Sequence, residues 1–220
     1  HFSQTRDFCT NKEHVITANE NLLRANLAGH GFHNVPTCVK RICAELGEKP
    51  TDTVMVAKVN VASGLAELAN GNFDGAISHF LRVGIELGTT FNEVVASEDV
   101  ALYVGVLALA TLSRRNIKAQ VLANSSFRAM LETNPIVRDA LNAFVASRYK
   151  DLFNTLLDVR RLAAQDPFLC EFVQRLFPRI RICALTQYVY PFSSVDLSKM
   201  AVAFGTSVDG LDDELARLVL

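Results

Sequence analysis

The side chains able to bind a metal or attack a bond are few and scattered. A hydrolytic metal centre needs three or four His, Cys, Asp or Glu ligands converging at close spacing. Of His1, His14, His30, His33 and His79, only His30-x-x-His33 has a ligand-like interval, and it falls in a glycine-flanked turn with no acid at motif distance. Cys38-x4-Cys43 has no second pair to complete a site, so burial on an apolar helix face is the expected role of both thiols. The chain holds no Gly-x-Gly-x-x-Gly run, Walker loop, Gly-x-Ser-x-Gly elbow or His-Glu-x-x-His. Its acids are spread over helical stretches near Lys or Arg, which singles out no carboxylate dyad. The expectation is therefore no catalytic, cofactor-binding or metal residue, and no cofactor.

Binding chemistry is equally restrained. With 22 basic and 23 acidic side chains the formal net charge is −1, which gives no global field to attract nucleic acid or an anionic membrane. The densest basic pairs, Arg114-Arg115 and Arg160-Arg161, read as cations at helix ends in preference to docking patches. Five cysteines make an odd set for a disulfide framework and point to a reducing compartment. Every long apolar stretch is broken before the ~20 residues that a bilayer-spanning helix needs. A chain that opens at His1 and stops at Leu220 inside an apolar run is expected to be a piece of a longer protein.

Whatever these residues do, helices must position them. Half of the chain is hydrophobic and a fifth is charged, the balance of a folded globular protein. From Thr53 the residues Val54, Ala57, Val61, Leu65 and Leu68 form one stripe, flanked by the small Ala62, Gly64, Ala66 and Ala69. Gly71-Asn72 breaks the helix, and Phe73, Ala76, Ile77, Phe80 and Leu81 resume the pattern at i, i+3, i+4, i+7, i+8. The offsets of Gly64, Leu68, Gly71, Phe73, Ala76 and Phe80 are those of a tetratricopeptide hairpin, with Ala76 expected against the small face around Gly64. A weaker pair, Val15 to Ala28 and Val35 to Leu46, turns around Gly29, Gly31 and Phe32.

Ser97-Glu98-Asp99 reads as a helix start, with Val100, Tyr103, Val104, Leu107, Ala108 and Thr111 on one face of the first member of a third pair. After Asn134-Pro135 come helices over Val137 to Ala146, Tyr149 to Ala163 and Phe168 to Tyr188, the last expected to kink or divide at Pro178. Ser193 or Ser194 is placed to cap a short helix through Leu197, Met200, Ala201 and Phe204. Gly205 turns the chain, and Thr206 or Ser207 caps a second helix bearing Val208, Leu211, Leu215 and Leu218. Helix–turn–helix units often read DNA, but this second helix sets Asp209, Asp212, Asp213 and Glu214 against Arg217 alone. It repels phosphate, so a protein-contacting winged helix is expected, with no direct nucleic-acid partner and no membrane.

Helical repeats feeding a helix–turn–helix resemble the PCI-domain family, shared by subunits of the proteasome lid, the COP9 signalosome and initiation factor three. Within it the strings Arg6-Asp7-Phe8-Cys9-Thr10 with His14-Val15-Ile16, and Ala62 to Ala69, are similar to the signalosome branch. So are Asp99 to Tyr103 with Gly105, Ala108 to Thr111, and Leu131-Glu132 with Pro135 and Val137-Arg138-Asp139. Gln187-Tyr188, Pro191-Phe192, Val195 to Leu197, Met200-Ala201, Ala203-Phe204, Thr206 and Glu214-Leu215 continue the match. Pro178 departs from the family pattern.

The resemblance implies an all-α fold: a TPR-like helical-repeat array, a right-handed α-solenoid, leading into a truncated winged-helix (PCI) module. The expected division is 1–130 for the TPR-like repeats, 131–192 for the helical part of the PCI domain, and 193–220 for the start of the winged helix with its wing missing. It also implies a non-catalytic scaffold subunit of the assembly that removes the ubiquitin-like modifier NEDD8 from cullins. Its partners would be other PCI subunits, and indirectly cullin-RING ligases, in nucleus and cytoplasm. The competing readings are a proteasome-lid scaffold, a free-standing TPR-type peptide-binding adaptor, whose inner stripe should be basic or Asn-lined, and an enzyme.

Overall fold

A computed structural model describes residues 12–47 and 52–219. His1, Cys9 and the Arg6 to Thr10 string lie outside the described residues. Those described are mostly helical, without a strand among them, and the chain divides into two compact units, 1–100 and 101–220.

The first unit holds α1 (Lys12–Ala28), α2 (Val35–Leu46), α3 (Thr53–Ala69) and α4 (Phe73–Phe80), each packed chiefly on its neighbour in sequence. Short polar residues start α3 and α4. Asp52 accepts from the Met55 N–H at 2.9 Å to begin α3, and Asn72 accepts from the Gly75 N–H at 3.1 Å to begin α4. The α1–α2 and α3–α4 turns close by the same pair of carbonyl bonds. His30 and Gly31 donate back to Leu27 and Asn26, and Gly71 and Asn72 donate back to Leu68 and Glu67. This is the Schellman termination, which requires one left-handed residue, here His30 (φ 54°) and Gly71 (φ 73°).

The tetratricopeptide-like hairpin is present, with a different residue at its closest point. A Cβ on Gly64 would stand 2.6 Å from Cε1 of Phe80, so the glycine makes room for the aromatic ring. Phe80 and Ala76 are both fully buried. Helix α3 is covered on more faces than one stripe predicts, Met55, Val59 and Ala62 being buried beside Val61 and Leu65, because α2 and α4 both pack against it. Beyond α4 the chain keeps Val83, Leu87, Phe91 and Val95 buried at four-residue spacing but forms only the 3-10 turn Ile85–Leu87. Gly84 and left-handed Gly88 (φ 49°) interrupt the helix there.

Helix α5 (Ser97–Thr111) begins where predicted, the Asp99 carboxylate reaching back 3.0 Å to the Ala96 N–H. Its expected single apolar face is a correction. Val100 to Ala110 are buried all round, because the sequence there offers no polar face. In place of a long antiparallel partner, Ser113 caps a short helix, Arg114–Asn116, that runs into a π-helical turn, Ile117–Leu122. Arg114 and Arg115 thus open a turn instead of closing α5, and both are exposed.

The second unit continues with α6 (Ser125–Thr133), α7 (Pro135–Val145), α8 (Tyr149–Gln165), α9 (Val173–Val189), α10 (Leu197–Phe204) and α11 (Val208–Val219). Pro178 does not divide α9. It lies on the exposed face, where water can serve the Gln174 carbonyl whose donor proline removes. Asp166 organises the α8–α9 turn. Its carboxylate accepts from the Phe168 and Leu169 N–H groups at 2.8 Å each, and from the buried Tyr103 hydroxyl of α5 at 2.8 Å.

Candidate functional site

The helix–turn–helix α10–α11 is the element whose surface carries an interpretable function, and the second unit holds it at three places. The first is aromatic. Tyr149 of α8 stacks on Phe204 of α10 at 4.7 Å between ring centroids, and Tyr188 of α9 meets Phe204 edge-on at 5.6 Å. Burial pushes the Tyr149 phenol above its ordinary pKa.

The second is the turn. Asp196, in place of the expected Ser193 or Ser194, caps α10 by accepting from the Ser198 N–H at 2.9 Å. Asp competes well at this position because its carboxylate also meets the positive end of the helix dipole. Gly205 is left-handed (φ 63°, ψ 35°), the Thr206 N–H donates to the Ala201 carbonyl at 3.0 Å, and the Ser207 hydroxyl accepts from Gly210 N–H to begin α11.

The third is ionic. Arg181 of α9 grips Glu214 of α11 with both Nε and Nη2, the latter at 2.7 Å, while its guanidinium carbon lies 4.9 Å from the Phe153 ring centroid. Glu214 is thereby drawn inward. Asp209, Asp212 and Asp213 remain exposed, so the outer surface of α11 is anionic, with Arg217 as its cation among the described residues. Of the predicted apolar stripe only Leu211 is fully covered, and Val208 and Leu218 are each 41% exposed. Between α9 and α10 the chain displays Tyr190 and Phe192.

The candidate ligands and nucleophiles do not converge. Among the described residues no three of His, Cys, Asp and Glu come together as a metal site. His30 is spent on the α1–α2 turn, its ring edge-on to Phe32 at 5.6 Å, and His33 sits in the 3-10 turn Phe32–Asn34. His14 lies in α1, and His79 in α4 has its pKa lowered by burial and by nearby Arg82. Cys38 is buried as expected, but Cys43 is exposed: five residues on, a helix has turned it about 140° from Cys38. Cys170 is exposed. Cys183 donates to the Ala110 carbonyl at 3.4 Å, and burial pushes its thiol up, away from reactivity. Arg160 and Arg161 are exposed on α8, and Arg161 pairs with Asp158. Residue types alone do not mark Asp166 or the Arg181–Glu214 fork; Asp-Pro at 166–167 is a turn former and signals the first, while nothing local signals the second.

Antiparallel helices stacked on their sequence neighbours, then a helix–turn–helix clasped to longer helices, define the class: a helical-repeat protein with a winged-helix-type C-terminal module. The family model described as 26S proteasome subunit RPN7 matches residues 1–120, and that described as PCI domain matches 156–220. The chain belongs to the RPN7 family, and its C-terminal part is a PCI domain.

Among curated relatives, COP9 signalosome complex subunit 1 of Arabidopsis thaliana is 39% identical over 99% of this chain and 49% of its own length. Subunit 1b of Drosophila melanogaster is 32% identical over 100% of this chain and 42% of its own. The 26S proteasome non-ATPase regulatory subunit 6 homolog of Arabidopsis thaliana is 27% identical over 80% of this chain and 45% of its own. The chain spans about half the length of these relatives.

Proposed function

We propose that this chain is the helical-repeat and PCI part of a COP9 signalosome subunit 1, a non-catalytic scaffold holding sister subunits in the assembly that removes NEDD8 from cullins. The observation that carries this is the end-to-end similarity to signalosome subunit 1, at higher identity and coverage than to the proteasome subunit. The site agrees in kind. An anionic second helix disfavours DNA, while exposed Tyr190, Phe192, Val208 and Leu218 suit protein contact. The helical repeats (1–130), the helical part of the PCI domain (131–192) and the start of the winged helix (193–220) are the three contact regions of this reading. Cullin-RING ligases are reached through the assembly, in nucleus and cytoplasm.

The test is purification of the tagged full-length protein from its own cells, with quantitative mass spectrometry of what accompanies it. Signalosome subunits in near-equal amounts support the reading, and lid subunits in their place overturn it. The isolated protein should hydrolyse no NEDD8–cullin conjugate and hold no stoichiometric zinc.

A further inference from the structure

We propose that an open groove between α8, α9 and α11 is a docking site for an acidic amphipathic helix of a partner protein. The inference rests on the scaffold reading and names one of its contact surfaces. The groove has a volume of about 640 Å³ and lies wholly within the second unit.

Its walls are two helix faces running lengthwise. Phe153, Leu156, Leu157 and Arg160 recur on α8 at i, i+3, i+4, i+7, and Gln174, Phe177, Pro178 and Arg181 recur on α9 in the same way. Seven residues of helix span ~10 Å, so two turns of a guest helix fit along the trough. The apolar lining is presented to solvent. Leu157 is 60% exposed, Ile182 40% and Leu218 41%, at positions where an isolated helix surface would carry polar groups.

Charge selects the guest. Glu214 is the acid among the lining residues, and Arg181 already neutralises it through two nitrogens. Arg160 of α8 and Arg217 of α11 are both exposed lining residues, so the groove is locally cationic in a chain of net charge −1. A helix with apolar residues at i, i+3, i+4 and i+7 and carboxylates flanking them would fill the trough and meet both guanidiniums. A basic guest would set like charges against Arg160 and Arg217 over a half-desolvated surface.

The probe is a fluorescent, stapled amphipathic helix carrying leucines at i, i+3, i+4, i+7 with flanking glutamates, titrated against the full-length protein. Its control has lysines in place of the glutamates. The glutamate probe should bind at least about tenfold more tightly than the lysine probe. The Arg160→Glu, Arg217→Glu double variant, both sites being exposed, should keep its melting temperature and invert that preference. Leu157→Asp should weaken both probes.

Equal binding of the two probes, no binding, or affinity indifferent to the double reversal overturns the proposal. So does a concentration-dependent dimer that Leu157→Asp abolishes, which would assign the groove to a second copy of the chain. Failure of the probe while sister subunits still co-purify removes the groove alone. Loss of co-purification with probe binding intact removes the scaffold reading instead.

Discussion

His30 and Ser147 occupy left-handed backbone (φ 54° and 58°) at the ends of α1 and α7, each closing a Schellman turn that glycine closes elsewhere at Gly71 and Gly205. A β-carbon in that region costs about 1–2 kcal/mol. His30→Gly and Ser147→Gly are therefore each expected to raise stability by about 1 kcal/mol in chemical denaturation; a loss would show that the side chains matter more than the backbone. Asp166 is the opposite case. Its replacement by Ala leaves two backbone N–H groups and the Tyr103 hydroxyl without their acceptor, at an expected cost of about 3 kcal/mol, against about 1 for Tyr103→Phe. Equal costs would mean that the hydroxyl bond alone matters. Ala76→Glu places a charge at a fully buried seam and should cost about 3 kcal/mol or more; an unchanged melting temperature would contradict the hairpin packing.

Helix α11 is thinly covered, Leu211 being its fully buried residue, and the Arg181–Glu214 ion pair ties it to α9. Glu214→Gln should leave Arg181 partly buried without its charge partner. Hydrogen exchange in 208–219 should then rise while α8 and α9 keep their protection. Uniform destabilisation of the whole unit would show that α11 is not separately anchored.

Element by element, the sequence made most of the helices readable because caps, breaks and stripes are local signals: Asn72, Asn134-Pro135 and Gly205 each fall where the structure ends or starts a helix. What it hid was of two kinds. Helix α6 and the π-helical turn before it have mixed patterns that tertiary packing decides, and the Arg181–Glu214 fork joins residues 33 apart, which no periodicity can pair. The missing polar face of α5 could have been read, since Ala101 to Ala110 contains no charged residue. Gly105, whose Cβ would run into Val137, shows how closely that helix is approached.

For the whole molecule, the first unit is a run of helices each buried by its sequence neighbours, and the second ends in a clasped helix–turn–helix. Stacked helices build large exposed surfaces from local contacts, an economy suited to holding partners. Among the described residues no three of His, Cys, Asp and Glu converge, and Asp52, Asp196 and Glu214 are taken up by helix caps and an ion pair. On the proposed scaffold reading the protein works by occupancy, and the property to measure is the set of neighbours it accepts.

The most direct test lets the full-length protein choose. It would be coexpressed with the sister subunits of both the COP9 signalosome and the proteasome lid, and the assemblies weighed by native mass spectrometry. The expected result is one copy incorporated into the signalosome set, leaving the lid set unoccupied. Incorporation into the lid, or a protein that stays free of both sets at micromolar concentration, would contradict the account.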